Sequence, residues 1–435
     1  MENKVTDRPV SENAQPAASR TRKLLQSGIV FSAVSFLTGL GNLAFQAIIG
    51  NRLKESGEYS LANNTLNGFM GLLGLPLAIA TTAITHYIAR FHFSGDDARL
   101  QGLLAGCRKF LFHLTLAGSA LAVTAIFLAH PLSHLFNFPR ISLTFMALGC
   151  VLAGLWGGLA TALCQGLSWF KRLALIGFTG VCLRLAFGWF IMLKFPTAEM
   201  VILASGIMAL ANLVLLYWRK DLVRPTPAIS PWNREFVGFL ILSAACIGGN
   251  YCFIQSDQLV AQKYFPAAAR DAYSAAGLFA RALPITVGPL LTVLFTHRST
   301  AHTGDALREQ LKLIGLYAAG LVCGLIGLLV LKVICLKAIG RYTPESAAMM
   351  GHLATTMVFV GLLQALSLWA LASRWVKIAL LYGCLGLAYW LTLFALGKTP
   401  TALLTLMPLA AGIAFALLLT VWLLAMRRHS SKEQA

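Results

Sequence analysis

Runs of twenty or more mainly apolar residues recur twelve times along this chain, and no other feature restricts its fold as tightly. A hydrocarbon core about 30 Å thick is crossed by about 20 apolar residues in helical form. In lipid, only helices and closed barrels satisfy their own backbone groups. The runs cover 24–50, 61–90, 108–129, 141–166, 171–193, 199–218, 235–262, 271–297, 312–336, 347–371, 375–396 and 401–426. They fill most of the 435 residues and leave no soluble domain. Only 12% of the residues are charged, against about a quarter in a soluble domain. The expected fold is an all-α polytopic membrane protein with twelve transmembrane helices.

The charges that remain are uneven, 35 Lys and Arg against 16 Asp and Glu, a net +19. The basic residues sit between the apolar runs, which points to membrane topology and not to nucleic acid. Short cytoplasmic loops carry the excess of Lys and Arg. One set of flanks holds 23 of the 35, among them Arg22, Arg90, Arg234, Arg374 and Arg427. The opposite set, with Arg52, Arg140, Lys263, Arg270 and Arg341, holds ten. Both termini are therefore expected on the cytoplasmic side of the membrane. Residues 1–23, with Pro9 and Pro16, are expected as a disordered cytoplasmic tail, and 427–435 as a cytoplasmic tail. No secretory signal pattern opens the chain. The nine cysteines form no CxxC pair and read as small buried hydrophobes.

The longest helix-breaking connection, 219–234 with Pro225, Pro227 and Pro231, divides the spans six and six. An N-lobe over 24–218 and a C-lobe over 235–426 follow. A shift of 208 residues brings Gly41-Asn42 onto Gly249-Asn250, Phe45 onto Phe253, Leu75-Pro76 onto Leu283-Pro284 and Arg90 onto Arg298. Trp169-Phe170-Lys171 is echoed by Trp375-Val376-Lys377 at nearly the same spacing. Six spans per half make the two lobes pseudo-symmetric about the membrane normal. Transporters built this way hold substrate between their repeats; a scaffold could share the architecture.

Ionisable side chains inside spans are costly and mark functional sites by default. Asp257 is the one acid placed well inside a span. Its local alternative is a structural ion pair with Lys263 or Arg270. Asn250, seven residues earlier, shares its helical face, and Gln255 and Gln258 flank it. Arg281 and Arg184 lie mid-span, too deep to reach the surface easily. Arg281 and Asp257 sit on neighbouring spans at depths differing by roughly 9 Å, which an arginine partly bridges. Asn42 and Gln46 lie one turn apart on span one; Asn63, Asn64 and Asn67 lie on span two. All can line a polar lumen or bond helix to helix. Pro76 and Pro284 stand mid-span at matching positions, as paired kinks and candidate hinges. His130 and His134 lack a third metal ligand. No GxxxxGK[ST] segment is present, so any drive comes from an ion gradient, the membrane potential or the substrate gradient.

Three stretches carry a family resemblance. Ser256-Asp257-Gln258-Leu259-Val260-Ala261, with Ala272-Tyr273-Ser274-Ala275-Ala276 and Phe279-Ala280-Arg281-Ala282-Leu283, resembles spans seven and eight of bacterial polysaccharide-transport flippases. Cys164-Gln165-Gly166-Leu167-Ser168-Trp169-Phe170-Lys171-Arg172 is similar to their junction between spans four and five. Gly50-Asn51-Arg52-Leu53 with Gly57-Glu58-Tyr59 is similar too. The resemblance is to the Wzx-type O-antigen flippases of the multidrug/oligosaccharidyl-lipid/polysaccharide exporter superfamily. It implies two lobes around an alternating-access cavity, with an undecaprenyl-diphosphate-linked oligosaccharide as the partner. Membrane lipids and a polysaccharide polymerase would be further partners. No cofactor is implied beyond a coupling ion or the membrane potential. Arg281, Arg184 and Arg52, the last near the outer mouth, would meet the diphosphate. Asp257, Asn250, Asn42, Gln46 and Asn67 would complete the substrate site.

Two other functions fit the same architecture. A cation-coupled multidrug antiporter calls for a carboxylate deep in the N-lobe, and none is present there. A membrane-embedded envelope enzyme needs catalytic groups in a large external loop, and the loops here are short. A carrier, not an enzyme, is expected.

Overall fold

The computed structural model describes residues 17–53, 58–63, 65–66, 70–109, 112–113, 115–117, 120, 140–217, 234–288, 290–291, 295 and 305–434. In chain order the helices are α1 Ala17–Arg52, α2 Glu58–Asn63, α3 Met70–Ser94, α4 Ile141–Gly166, α5 Phe170–Lys194 and α6 Ala198–Tyr217. After the central connection come α7 Arg234–Tyr264, α8 Ala267–Val287, α9 Asp305–Ala338, α10 Pro344–Ala372, α11 Val376–Leu396 and α12 Pro400–Gln434. Seven of these are long and apolar enough to cross a membrane: α4, α5, α7 and α9 to α12. Span two is carried by α2 and α3 together. Most of span three, with His130 and His134, lies outside the described residues, as do Asn64, Asn67, Arg298 and the linker over 218–233.

Helix and apolar run do not end together. α1 has 36 residues and begins at Ala17, within the stretch expected to be disordered. α12 has 35 and continues to Gln434, past the apolar run. At 1.5 Å per residue α1 is about 54 Å long, well beyond the hydrocarbon core. Helical hydrogen bonds are internal to the segment, and Arg, Lys and Gln are good helix formers, so nothing stops these helices at the bilayer edge.

Four helical segments end in the same way. Gly95, Ser168, Gly340 and Arg374 have φ of 73°, 57°, 67° and 57°. Each lies at the left-handed position of a Schellman cap, where the next residue's N–H reaches back five residues. Those bonds are Asp96 to Phe91, Trp169 to Cys164, Arg341 to Leu336 and Trp375 to Ala370, at 2.7 to 3.0 Å. Glycine suits such a position; Ser168 and Arg374 occupy it at some steric expense.

The packing is paired between halves. α1 lies on α5 as α7 lies on α11, α3 on α4 as α8 on α10, and α4 on α6 as α10 on α12. At α7 and α11 the backbones approach so closely that a Cβ on Gly386 would stand 2.6 Å from the Cα of Gly249. Between the halves, α3 packs on α7 and α1 on α8. α10 is the most enclosed of the apolar helices, with Trp369, Leu363, Val360 and Met357 at 0 to 1% exposure. α9 is its opposite: Val322, Ile326, Val330 and Ile334, each four residues apart, are exposed on one stripe. Such a stripe belongs against lipid. Cys182, Cys323 and Cys384 are also exposed, contrary to the expectation that all nine are buried. Their apolar thiols need no burial where the surroundings are lipid.

Candidate functional site

A polar cavity of about 360 Å³ opens where the halves meet. α1 contributes Asn42 and Gln46, α5 Arg184, and α6 Ser205. The other wall has Gln255 and Gln258 from α7 and Ser274 and Arg281 from α8. Asn63, at the end of α2, closes one corner.

The two arginines are held differently. Arg184 is braced across three helices: Nη1 donates to Asn42 Oδ1 at 3.0 Å and Nη2 to Ser205 Oγ at 2.9 Å. Its guanidinium stacks 4.0 Å from the centre of the Phe45 ring. Gly188 on the next turn makes room for that ring, because a Cβ there would run into it. Arg184 Nε is buried and has no hydrogen-bond partner. Both groups that hold Arg184 are neutral, and among the described residues no carboxylate lies within ion-pair distance of it. An excess positive charge therefore remains on the N-lobe wall.

Arg281 is compensated. Its Nη2 pairs with Asp257 Oδ2, and its Nε donates to the Ile254 carbonyl at 3.0 Å. Tyr273 donates to the same carboxylate oxygen at 2.5 Å, and Met407 Sδ lies 3.3 Å from that hydroxyl. Asp257 is fully buried, and its Oδ1 has no partner. Gly277, one turn before Arg281, leaves space for the guanidinium. The local pairing with Lys263 or Arg270 is not formed. The Lys263 ammonium instead lies 4.6 Å from the centre of the Phe394 ring, and Arg270 reaches the Gln262 carbonyl at 3.5 Å. The arginine is long enough to reach Asp257 while its Nε holds the Ile254 carbonyl on the same helix.

The other expected site residues separate. Asn42, Gln46, Arg184 and Arg281 converge on the cavity. Asp257 stands behind it as the partner of Arg281. Asn250 does share the Asp257 face of α7, but there it accepts from Tyr382 on α11 at 3.3 Å and is absent from the cavity lining. The cavity face of α7 is instead Ile254, Gln255 and Gln258. Arg52 occupies a separate depression at the end of α1, 5.8 Å from the Trp189 ring centre. Asn67 lies outside the described residues. Pro76 and Pro284 fall inside α3 and α8, two helices that form the seam. Sequence reading missed Ser205 and Tyr273, because their roles depend on which helices touch. Gln255 and Gln258 were visible as polar residues in an apolar run, without a sign of the face they occupy.

The seam is fastened at both ends. At one end Glu235 Oε1 accepts from Arg90 of the N-lobe at 2.6 Å and from Arg374 of the C-lobe. Arg374 Nη2 also reaches His86 Nε2 at 3.3 Å, and His86 stacks on Phe239 with ring centres 4.2 Å apart. At the other end Arg341 donates to the Leu53 carbonyl and lies 4.9 Å over the Tyr59 ring. Asn51 Nδ2 donates to the Ala338 carbonyl at 3.1 Å beside it. A third cluster, Arg140 between Glu58 at 2.6 Å and Glu199 at 3.0 Å, ties α2, α4 and α6 within the N-lobe.

No protein-family profile and no curated protein matches the sequence. Solved structures do. An outward-facing multidrug-resistance MATE family transporter of the MOP superfamily aligns with 94% of this chain and 96% of its own, at TM-score 0.69 and 14% identity. A MATE in the bent conformation aligns over 94% and 97%, at 0.66 and 13%. A MOP superfamily transporter from Pyrococcus furiosus, described as having a binding pocket of reverse polarity, aligns over 91% and 95%, at 0.63 and 13%. At these identities the likeness establishes architecture. The chain has the all-α fold of MOP superfamily transporters, twelve membrane helices in two six-helix lobes.

Proposed function

We propose that this protein is an alternating-access carrier of the bacterial inner membrane. It moves an undecaprenyl-diphosphate-linked oligosaccharide from the cytoplasmic to the outer leaflet for polysaccharide synthesis. The observation that supports this reading is Arg184, a braced cation without a carboxylate, on the wall of a polar cavity at the lobe seam. Electrostatic terms are strong in a low-dielectric cleft, and a guanidinium suits phosphate oxygens. The asparagine and glutamine side chains around it suit sugar hydroxyls. With both ends of the seam fastened, about 360 Å³ is near the small end of ligand cavities. It admits a head group; the glycan enters when one end opens.

A second reading, a cation-coupled multidrug antiporter, is compatible with the fold. The charge of the cavity disfavours it, because Asp257 is spent on Arg281 and Tyr273 and no acid faces the cavity among the described residues. The deciding experiment uses proteoliposomes. Leaflet transfer of a fluorescent undecaprenyl-diphosphate oligosaccharide is measured beside gradient-driven efflux of a cationic dye. Transfer that is lost in Arg184→Gln supports the flippase. Dye efflux without lipid transfer overturns it in favour of the antiporter, and neither activity favours a scaffold.

A further inference from the structure

The polar cavity has an apolar neighbour. A groove of about 610 Å³ lies on the far side of α7, between α7 and α11. Gly248, Cys252 and Leu259 form one wall, and Leu380 and Leu387 the other. Among the described residues no charged side chain lines it. The hydroxyl of Ser256, also in the lining, is satisfied by the Cys252 carbonyl. Leu387, at 50% exposure, and the exposed Cys384 carry the groove to the lipid-facing surface.

Three features select what fills it. The lining offers no unspent charge to a head group and no row of free backbone groups to a peptide. The groove is continuous with the lobe seam, since Leu75 of α3 also lines it. The partition from the polar cavity is one helix thick: Gln255 and Gln258 face the cavity, while Cys252 and Leu259 face the groove. Beside that partition, at the α3–α7 contact, a Cβ on Gly71 would stand 3.2 Å from the Tyr251 ring, and Gly74 has open space.

We propose that this groove seats the hydrocarbon chain of the lipid whose anionic head occupies the central cavity, the chain passing along the α3–α7 seam. The site rests on the proposed function but is tested apart from it. A polyprenyl diphosphate bearing a diazirine in its chain is photolysed with the protein in phosphatidylethanolamine–phosphatidylglycerol vesicles, and the labelled peptides are mapped. Labelling should concentrate on 234–264 and 376–396 and be competed by unlabelled polyprenyl diphosphate. Gly248→Trp projects into the groove, where a Cβ meets no atom within 4 Å, and should cut the labelling roughly tenfold. Gly327→Trp, equally unobstructed on α9, is the control and should not.

Label spread over α9 as well, label that excess unlabelled polyprenyl diphosphate does not displace, or label unchanged by Gly248→Trp would each mean ordinary boundary lipid and overturn the site. Leaflet transfer is read separately. Groove labelling without transfer counts against the carrier function alone. Transfer without groove labelling counts against the groove alone.

Discussion

Ser168 and Arg374 hold the same left-handed backbone, φ 57° in both, at the same point of two matching corners. Each precedes a tryptophan whose N–H closes the cap of the preceding helix, α4 in one half and α10 in the other. The repeat that joins Trp169 to Trp375 in sequence is thus a repeat of backbone geometry. The two side chains differ in consequence. Arg374 reaches Glu235 and His86 at the seam. We therefore expect Ser168→Gly to raise stability by up to about 1 kcal/mol, because it removes the left-handed penalty. Arg374→Gly should not stabilise, because the relief is offset by the lost contacts. Thermal inactivation midpoints of the two variants in detergent test this; equal shifts would show that the corner alone decides both.

The Asp257–Arg281 pair should behave as a unit. Removing one partner leaves a buried uncompensated charge, which costs about 3–5 kcal/mol. Asp257→Asn and Arg281→Met should each destabilise strongly, and the double variant less than the sum of the two. A double-mutant cycle on unfolding in mild denaturant reads the coupling. Additive effects would mean that the two groups are not paired in the membrane.

Arg184 should matter for substrate and little for folding, since its partners are neutral. Arg184→Gln is expected to lower affinity for a diphosphate lipid by tenfold or more, as loss of a charge-assisted contact does, with a nearly unchanged melting midpoint. Arg184→Lys should recover only part, because one ammonium cannot reproduce the planar fork that meets both Asn42 and Ser205. Full recovery by lysine would reduce the role of Arg184 to charge alone.

Glu235 is 44% exposed, and its two arginine partners are 47% and 36% exposed, so salt should weaken this latch. Exposed pairs contribute about 0–1 kcal/mol each. Glu235→Gln should move the population open at this end by a few-fold, no more. Spin-label distances between positions on α3 and α7 measure it. A wholly locked or wholly open ensemble would show that the His86–Phe239 stack, and not the ion pairs, controls closure.

At the opposite end Gly50 packs directly on the Ile339 carbonyl, and any Cβ would collide with it. Gly50→Val should keep this end of the seam apart while the Glu235 end stays closed. Thiol labelling of a cysteine placed at Leu53 is expected to become several-fold faster, an opening worth about 1 kcal/mol. An unchanged rate would mean that the loop before α10 simply shifts aside.

The amino-acid sequence by itself determined that this is a helical membrane protein in two related halves. Hydrocarbon thickness and backbone hydrogen bonding leave one outcome for such apolar runs, and Gly41-Asn42 against Gly249-Asn250 revealed the duplication. It also singled out Arg184, Arg281 and Asp257, because charges within apolar runs cannot be accidental in energy. The direction each residue faces was left to the tertiary structure. The paired asparagines show why. Both turn toward the equivalent partner helix, yet Asn42 meets Arg184 at the cavity while Asn250 meets Tyr382 away from it. Helical period places residues on faces, but only packing decides which face meets polar space. The packing of α8 on α7 decides that Asp257 takes Arg281 over Lys263 or Arg270, and the latches through Glu235 and Arg341 join residues that only a folded pair of lobes brings together.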